Sequence, residues 1–328
     1  MRPTFSIICF TVLSGAGYGV WFVLGCGLLF LWPTCAAAPP FVTCTYPVVS
    51  TYLFVVGFGL VTSGLICSLG HLGKPQRAWR ALSQWRSSWL SREGVAALLT
   101  YVPAIAIPLV PLTQASQKPD AILRPIGAVL ALMCVVTVYC TAHIYSSLKP
   151  IRAWHNRYVT PAYLLIALHA GLLWMWALST LSRIPAARVR EIDAMLIALA
   201  LTSFALAALK LFYWRAIDTT PSTGPGHATG LESLGDVHTF EAPSTEENYL
   251  THEMGFVLAR KHAQQLRTIA LVFAFLVPGL LALLALASPS LRVFAAFAAL
   301  VGGMLGLFVE RWLFFAEARH TVIAFYGR

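Results

Sequence analysis

His71 and Glu93 bracket the stretch of this chain richest in reactive side chains, HLGKPQRAWRALSQWRSSWLSREG at residues 71–94. The stretch lies between two long apolar runs and carries five cations and three tryptophans. An imidazole and a carboxylate can both be tuned to titrate near neutrality, so a pair held at one depth suits a reaction that moves protons together with electrons. Quinone chemistry is such a reaction: a hydroquinone giving up its electrons also releases protons, and each of its oxygens needs a hydrogen-bond partner. A plainer reading stands beside this one. In it Glu93 is a first-turn acid favoured by the helix dipole behind a Ser91 N-cap, and His71 is an interfacial anchor.

The elements that must hold these residues are membrane helices. Of the 328 residues 58% are hydrophobic and only 11% charged, far below the charged fraction of about 25% usual for soluble domains. A bilayer core of about 30 Å takes roughly 20 apolar residues per helix. Runs of that size occur at about 5–32, 47–71, 93–114, 122–148, 159–182, 192–214, 267–288 and 292–316. The expected fold is therefore an all-α integral membrane protein, a bundle of eight transmembrane helices in one domain. An interfacial loop at 72–92 and a long loop at 217–262 belong to it. The first run is about twice the length of a signal-peptide core and reads as a retained span.

With eight spans, 17 of the 23 lysines and arginines fall on the side of the termini and six on the other. The positive-inside rule then places both termini in the cytoplasm, as expected for a multi-pass protein of the bacterial inner membrane. The formal charge of +10 follows the span ends and forms no basic face, so no nucleic-acid partner is expected; membrane lipid is. Within the first cytoplasmic loop, Trp79, Leu82 and Trp89 are spaced to share one helical face lying in the headgroups. Arg77, Arg80 and Arg86 are distributed around the remainder, where they can meet a soluble partner. Lys-Pro followed by Arg-Ala-Trp recurs at Lys149-Pro150 and Arg152-Ala153-Trp154, again readable as an interfacial turn with its tryptophan in the aromatic belt.

Other polar residues carry weaker signals. Haem ligation needs two histidines at matching depth, and His143 and His169 differ by roughly 15 Å at 1.5 Å per residue, so no haem is expected. His169 reads as a hydrogen-bonded packing residue. Glu310 and Arg311 of the last span and Lys210 of the sixth reach the same membrane level as Glu93 and read as mutual neutralisation. The seven cysteines include no C-x-x-C and give no case for a metal site; Cys35 and Cys44 share a short loop and are candidates for a disulfide. Eight helices with a weak internal rhyme also suit a transporter, but no acid or broken helix pair lies at mid-membrane.

These motifs resemble a known family. HLGKPQRAWRALSQWRSSWLSREG is similar to the signature loop of the DMSO reductase anchor-subunit family, the eight-span membrane component of complex iron–sulfur molybdoenzymes. TEENYLTHEMGFVLARKHAQQLR at 245–267 and ERWLFFAEARH at 310–320 resemble the same family, as they do the membrane subunit of cytoplasmic sulfite dehydrogenase in that group. The resemblance implies a haem-free subunit that binds menaquinone or ubiquinone and their quinols. It would anchor a molybdopterin catalytic subunit and a four-cluster iron–sulfur subunit, which hold the redox metals. On the matching positions it implies quinone contacts at His71, Glu93 and Gly73, with Arg77 and Arg80 nearby, and partner docking at Arg86, Arg152 and Arg157. Quinol would enter between the second and third spans. The stretch 217–240 matches nothing in it.

Overall fold

The computed structural model describes residues 4–31, 46–70, 72–110, 119–181, 189–219, 224–238, 240–241 and 262–322. Among them are eight helical stretches long and apolar enough to cross a membrane, as the composition demands: with no water to satisfy backbone groups, the helix is the economical way through hydrocarbon. They are α1 (Phe5–Cys26, extended by a π-helical turn Gly27–Leu31), α2 (Tyr46–Leu69), α3 (Trp89–Leu109), α4 (Pro119–Ser146), α5 (Val159–Leu181), α6 (Val189–Thr219), a seventh span and α10 (Arg292–Ala316). The seventh span joins α8 (Ala263–Ala270), a π-helical stretch Leu271–Leu276 and α9 (Val277–Ala287). The short α7 (Pro225–Thr229) belongs to the long loop. His71, Cys35, Cys44 and the segment 242–261 lie outside the described residues.

Helix α1 is the most enclosed span, with 72% of its apolar stretch buried. Lipid tails are as apolar as leucine, so burial here depends on close packing rather than on escape from water. Glycines provide it. A Cβ on Gly19 would lie 1.7 Å from the Ala167 carbonyl oxygen, and one on Gly171 would lie 2.3 Å from Gly19 itself. At that crossing the backbones of α1 and α5 touch, and no larger residue fits on either side.

The π-helical stretch has a local cause. Pro278 has no N–H, so the Ala274 carbonyl loses its ordinary donor four residues on. The His169 Nε2–H donates to that oxygen at 2.9 Å, and Ser203 lies 3.4 Å from the other ring nitrogen. His169 is thus the packing histidine that its apolar setting implied.

The first described loop departs from its expected form. Pro75–Leu82 is a 3₁₀ helix followed by a turn, and Trp89 already begins α3. The turn breaks the seven-residue spacing that would have put Trp79, Leu82 and Trp89 on one face. Trp79 is exposed while Leu82 packs over Gly94. Ser91 is not the N-cap either. That position is Ser88, while the Ser91 hydroxyl donates to the Ala81 carbonyl and Arg92 donates to the carbonyls of Trp85 at 3.0 Å and Arg86 at 2.7 Å. Side chains of the first turns of α3 therefore clamp the loop.

The rhyming fourth loop uses its tryptophan differently. Trp154 is buried, donates to the Phe314 carbonyl at 2.9 Å and stacks on the Phe314 ring. An isolated antiparallel bridge, Ile151 with His320, ties the loop to the segment after α10. Trp154 is a core residue, not part of an aromatic belt.

Candidate functional site

Glu93 sits in the second turn of α3, beyond the reach of a first-turn dipole role, and is buried. Its Oε1 accepts the Thr141 hydroxyl from α4 at 2.5 Å. One helical turn along α4, Thr137 meets Thr100 of α3 at 3.1 Å, so hydroxyls line this antiparallel seam. The carboxylate therefore turns towards α4.

Between α1, α4 and α5 lies an apolar cleft of about 190 Å³. Tyr18, Phe22, Cys134, Val135, Val138, Leu164 and Leu168 are among its lining residues. Val135 is 38% exposed on the outer face of the bundle, where lipid would lie. Val138 stands one turn from Thr141. The Tyr18 hydroxyl, in contrast, is buried and has no hydrogen-bond partner among the described residues. An apolar cavity of about 150 Å³ takes up a benzene ring, so the cleft has room for one substituted ring.

The other expected site residues are placed differently. Gly73, Arg77 and Arg80 are exposed on the loop, and a Cβ on Gly73 would meet nothing within 4 Å. Arg80 and Arg86 lie over their neighbouring indoles, Trp79 and Trp85, at 5.6 and 5.4 Å. Arg86, Arg152 and Arg157 are all exposed. A described histidine near Glu93 is His143, stacked 4.0 Å from Tyr139 and 4.7 Å from Trp89.

The buried charges at the same end of the bundle do meet. Glu310 receives Lys210 at 2.6 Å and both Arg311 Nε at 2.5 Å and Nη2 at 2.8 Å. Two cations and one carboxylate, all buried, leave a positive surplus. Arg311 spreads its own over Tyr163, 4.4 Å from the ring centroid. A second cluster follows. Arg267 binds Asp218 through two nitrogens at 2.6 and 2.9 Å and Glu317 at 2.8 Å. Burial pushes the Glu317 carboxyl above its usual value, with Arg267 opposing.

Sequence reasoning found Glu93, Lys210, Glu310 and Arg311 but passed over Thr141, Tyr18 and the Arg267 cluster. The four-residue spacing of Thr137 and Thr141, and the seven-residue spacing of Glu310 and Glu317, were the available signals.

The comparisons agree with this architecture. The chain is 29% identical to a sulfite dehydrogenase subunit of Allochromatium vinosum, over 99% of each chain. The family model described as DMSO reductase anchor subunit matches residues 1–317. The chain belongs to the DMSO reductase anchor-subunit (DmsC) family.

Proposed function

We infer that this chain, a member of a family of molybdoenzyme membrane anchors with catalytic and iron–sulfur partner subunits, does more than anchor. We propose that this chain is also the quinone-reactive subunit of that complex, exchanging electrons between the quinone pool and a four-cluster iron–sulfur partner. Menaquinone or ubiquinone supplies the two-electron, two-proton chemistry when bound. The observation that carries the reading is a buried carboxylate, Glu93, held by Thr141 one turn along α4 from Val138, which lines a ring-sized apolar cleft together with Tyr18.

In this reading α1, α4 and α5 hold the ring, entered from lipid past Val135, in place of entry between the second and third spans. The Tyr18 hydroxyl orients one oxygen. Glu93 takes up or supplies the proton, and Thr141 fixes its carboxylate. The apolar walls exclude bulk water and leave proton exchange to these groups. The exposed Arg77, Arg80, Arg86, Arg152 and Arg157 face the partner subunits from the cytoplasmic side, where both termini also lie. His71 remains a proposed quinone contact from outside the described residues.

Glu93→Gln keeps the shape and removes the proton-carrying carboxylate. Quinone-dependent turnover of the assembled complex, assayed with sulfite as donor and with dimethyl sulfoxide as acceptor, is expected to fall about 100-fold or more, within the range of a lost general base. A variant complex that runs at the wild-type rate would show that Glu93 is not in the site.

A further inference from the structure

Five of the eight buried side-chain polar atoms without a hydrogen-bond partner among the described residues lie in one region: Tyr163 and Tyr213 hydroxyls, Trp214 Nε1, Arg311 Nη1 and Glu317 Oε2. Chance would scatter such atoms through a bundle of this size. They are threaded instead among the two charge clusters. Lys210 Nζ lies 4.0 Å from the Tyr213 ring and 5.1 Å from that of Trp214, and Arg267 lies 5.6 Å from Trp214 on its other approach. Lys210 in turn pairs with Glu310 at 2.6 Å, so Tyr213 and Glu310 share one cation.

The seam has two distinct ends. At one, Tyr145 stacks 5.8 Å from Tyr163 and stands one turn along α4 from Thr141, which holds Glu93, while Arg311 lies 4.4 Å from the Tyr163 ring. At the other, the Asp218 side chain is 51% exposed while Glu317, joined to it through Arg267, is 5% exposed. We propose that this seam, from Tyr163 through Glu310, Tyr213 and Glu317 to Asp218, is the proton route between Glu93 and the protein surface.

The proposal rests on the quinone reading above. Buried polar groups without protein partners are the lining that internal water bridges, each water needing two to four polar neighbours, and this seam supplies donors and acceptors along its length. Arg311, Lys210 and Arg267, each paired with a carboxylate, hold the carboxylates and the water in place and do not carry the proton. Glu317 is the fitting carrier, because its Oε1 is held by Arg267 while its buried Oε2 has no partner among the described residues, and burial raises its carboxyl above the usual value. When quinol is oxidised, two electrons pass to the partner iron–sulfur subunit and two protons are released. Both protons, received by Glu93 one after the other, then leave along the seam at Asp218. Quinone reduction runs the same path inwards, and no electron enters the seam. A purely structural network predicts something else: deleting a hydroxyl that bonds nothing would cost nothing.

The test uses the purified complex, its metal centres reduced with dithionite, the excess removed, then mixed with decylubiquinone in a stopped-flow instrument. Tyr213→Phe and Glu317→Gln are compared with wild type for analogue affinity, for reoxidation rate in H₂O and D₂O, and for a carboxyl band in the redox-difference infrared spectrum. Expected are unchanged affinity, reoxidation slowed about tenfold or more in E317Q and severalfold in Y213F, and a larger solvent isotope effect. E317Q should also lose a carboxyl band and recover rate with millimolar azide as a diffusible proton carrier. Should E317Q fail to assemble, Y213F alone decides. Wild-type rate and isotope effect in Y213F overturn the proton route while leaving the quinone site standing. A wild-type complex that binds no quinone analogue overturns both.

Discussion

Glu310 is the residue on which most buried charge converges. It pairs with both Lys210 and Arg311, and removing one partner of a buried ionic group costs about 3–5 kcal/mol because the remaining charges stay uncompensated. Glu310→Ala is therefore expected to lower the thermal midpoint of the detergent-solubilised protein sharply. An unchanged midpoint would mean that water compensates the two cations. His169 tests a neutral case. Replacing it by Leu leaves the Ala274 carbonyl without its donor beside Pro278, an expected loss of about 1–3 kcal/mol, read by the same unfolding measurement. Both residues were legible as ionisable groups in apolar runs, and depth along the spans already grouped Glu310 with Lys210 and Arg311, but the His169 partner, a backbone carbonyl 105 residues away, was not assigned by spacing.

Among the elements, the α1–α5 crossing sets the geometry of the cleft. Gly19 and Gly171 bring the backbones into contact, while Tyr18 and Leu168, each beside that contact in sequence or one turn away, line the cavity. Gly171→Ala would push the helices apart and widen the cleft. The expectation is a lower thermal midpoint together with weaker quinone-analogue binding, measured by equilibrium titration. Binding at wild-type strength would indicate that the ring is held elsewhere than between α1 and α5. The loop before α3 shows how far pattern reading reaches. Its polar and aromatic content marked it as an edge structure, but Ser91 and Arg92 turn back onto the carbonyls of residues 81, 85 and 86, and those long-range clamps override the spacing that predicted one amphipathic face.

Across the whole molecule, the charges of α3, α6, α8 and α10 gather at one end of the bundle, as alternating spans require. The other end is not bare of charge: Arg292 binds Asp193 there at 2.6 Å. The proposed orientation predicts that a C-terminal green fluorescent protein fusion is fluorescent and a C-terminal alkaline phosphatase fusion inactive; the reverse result would invert the topology. The exposed arginines predict charge-steered docking. Reversing Arg86 and Arg157 to Glu should weaken association with the soluble subunits and reduce its salt dependence, measured by retention of those subunits on membranes washed at increasing ionic strength.

Hydropathy alone determined the class of this protein, because the need to satisfy every backbone group in hydrocarbon forces long apolar stretches into helices whatever their neighbours are. It also exposed Glu93, Lys210, Glu310 and Arg311, since ionisable residues stand out in apolar runs. The tertiary structure decided what these residues face: Glu93 turns to Thr141, Lys210 and Arg311 close on Glu310, and Trp154 is drawn into the core while its sequence counterpart Trp79 stays outside. Those outcomes depend on how each helix is rotated about its axis. In lipid that rotation is set by close packing at small residues and by hydrogen bonds between distant turns, neither of which is written in the local pattern of any one helix.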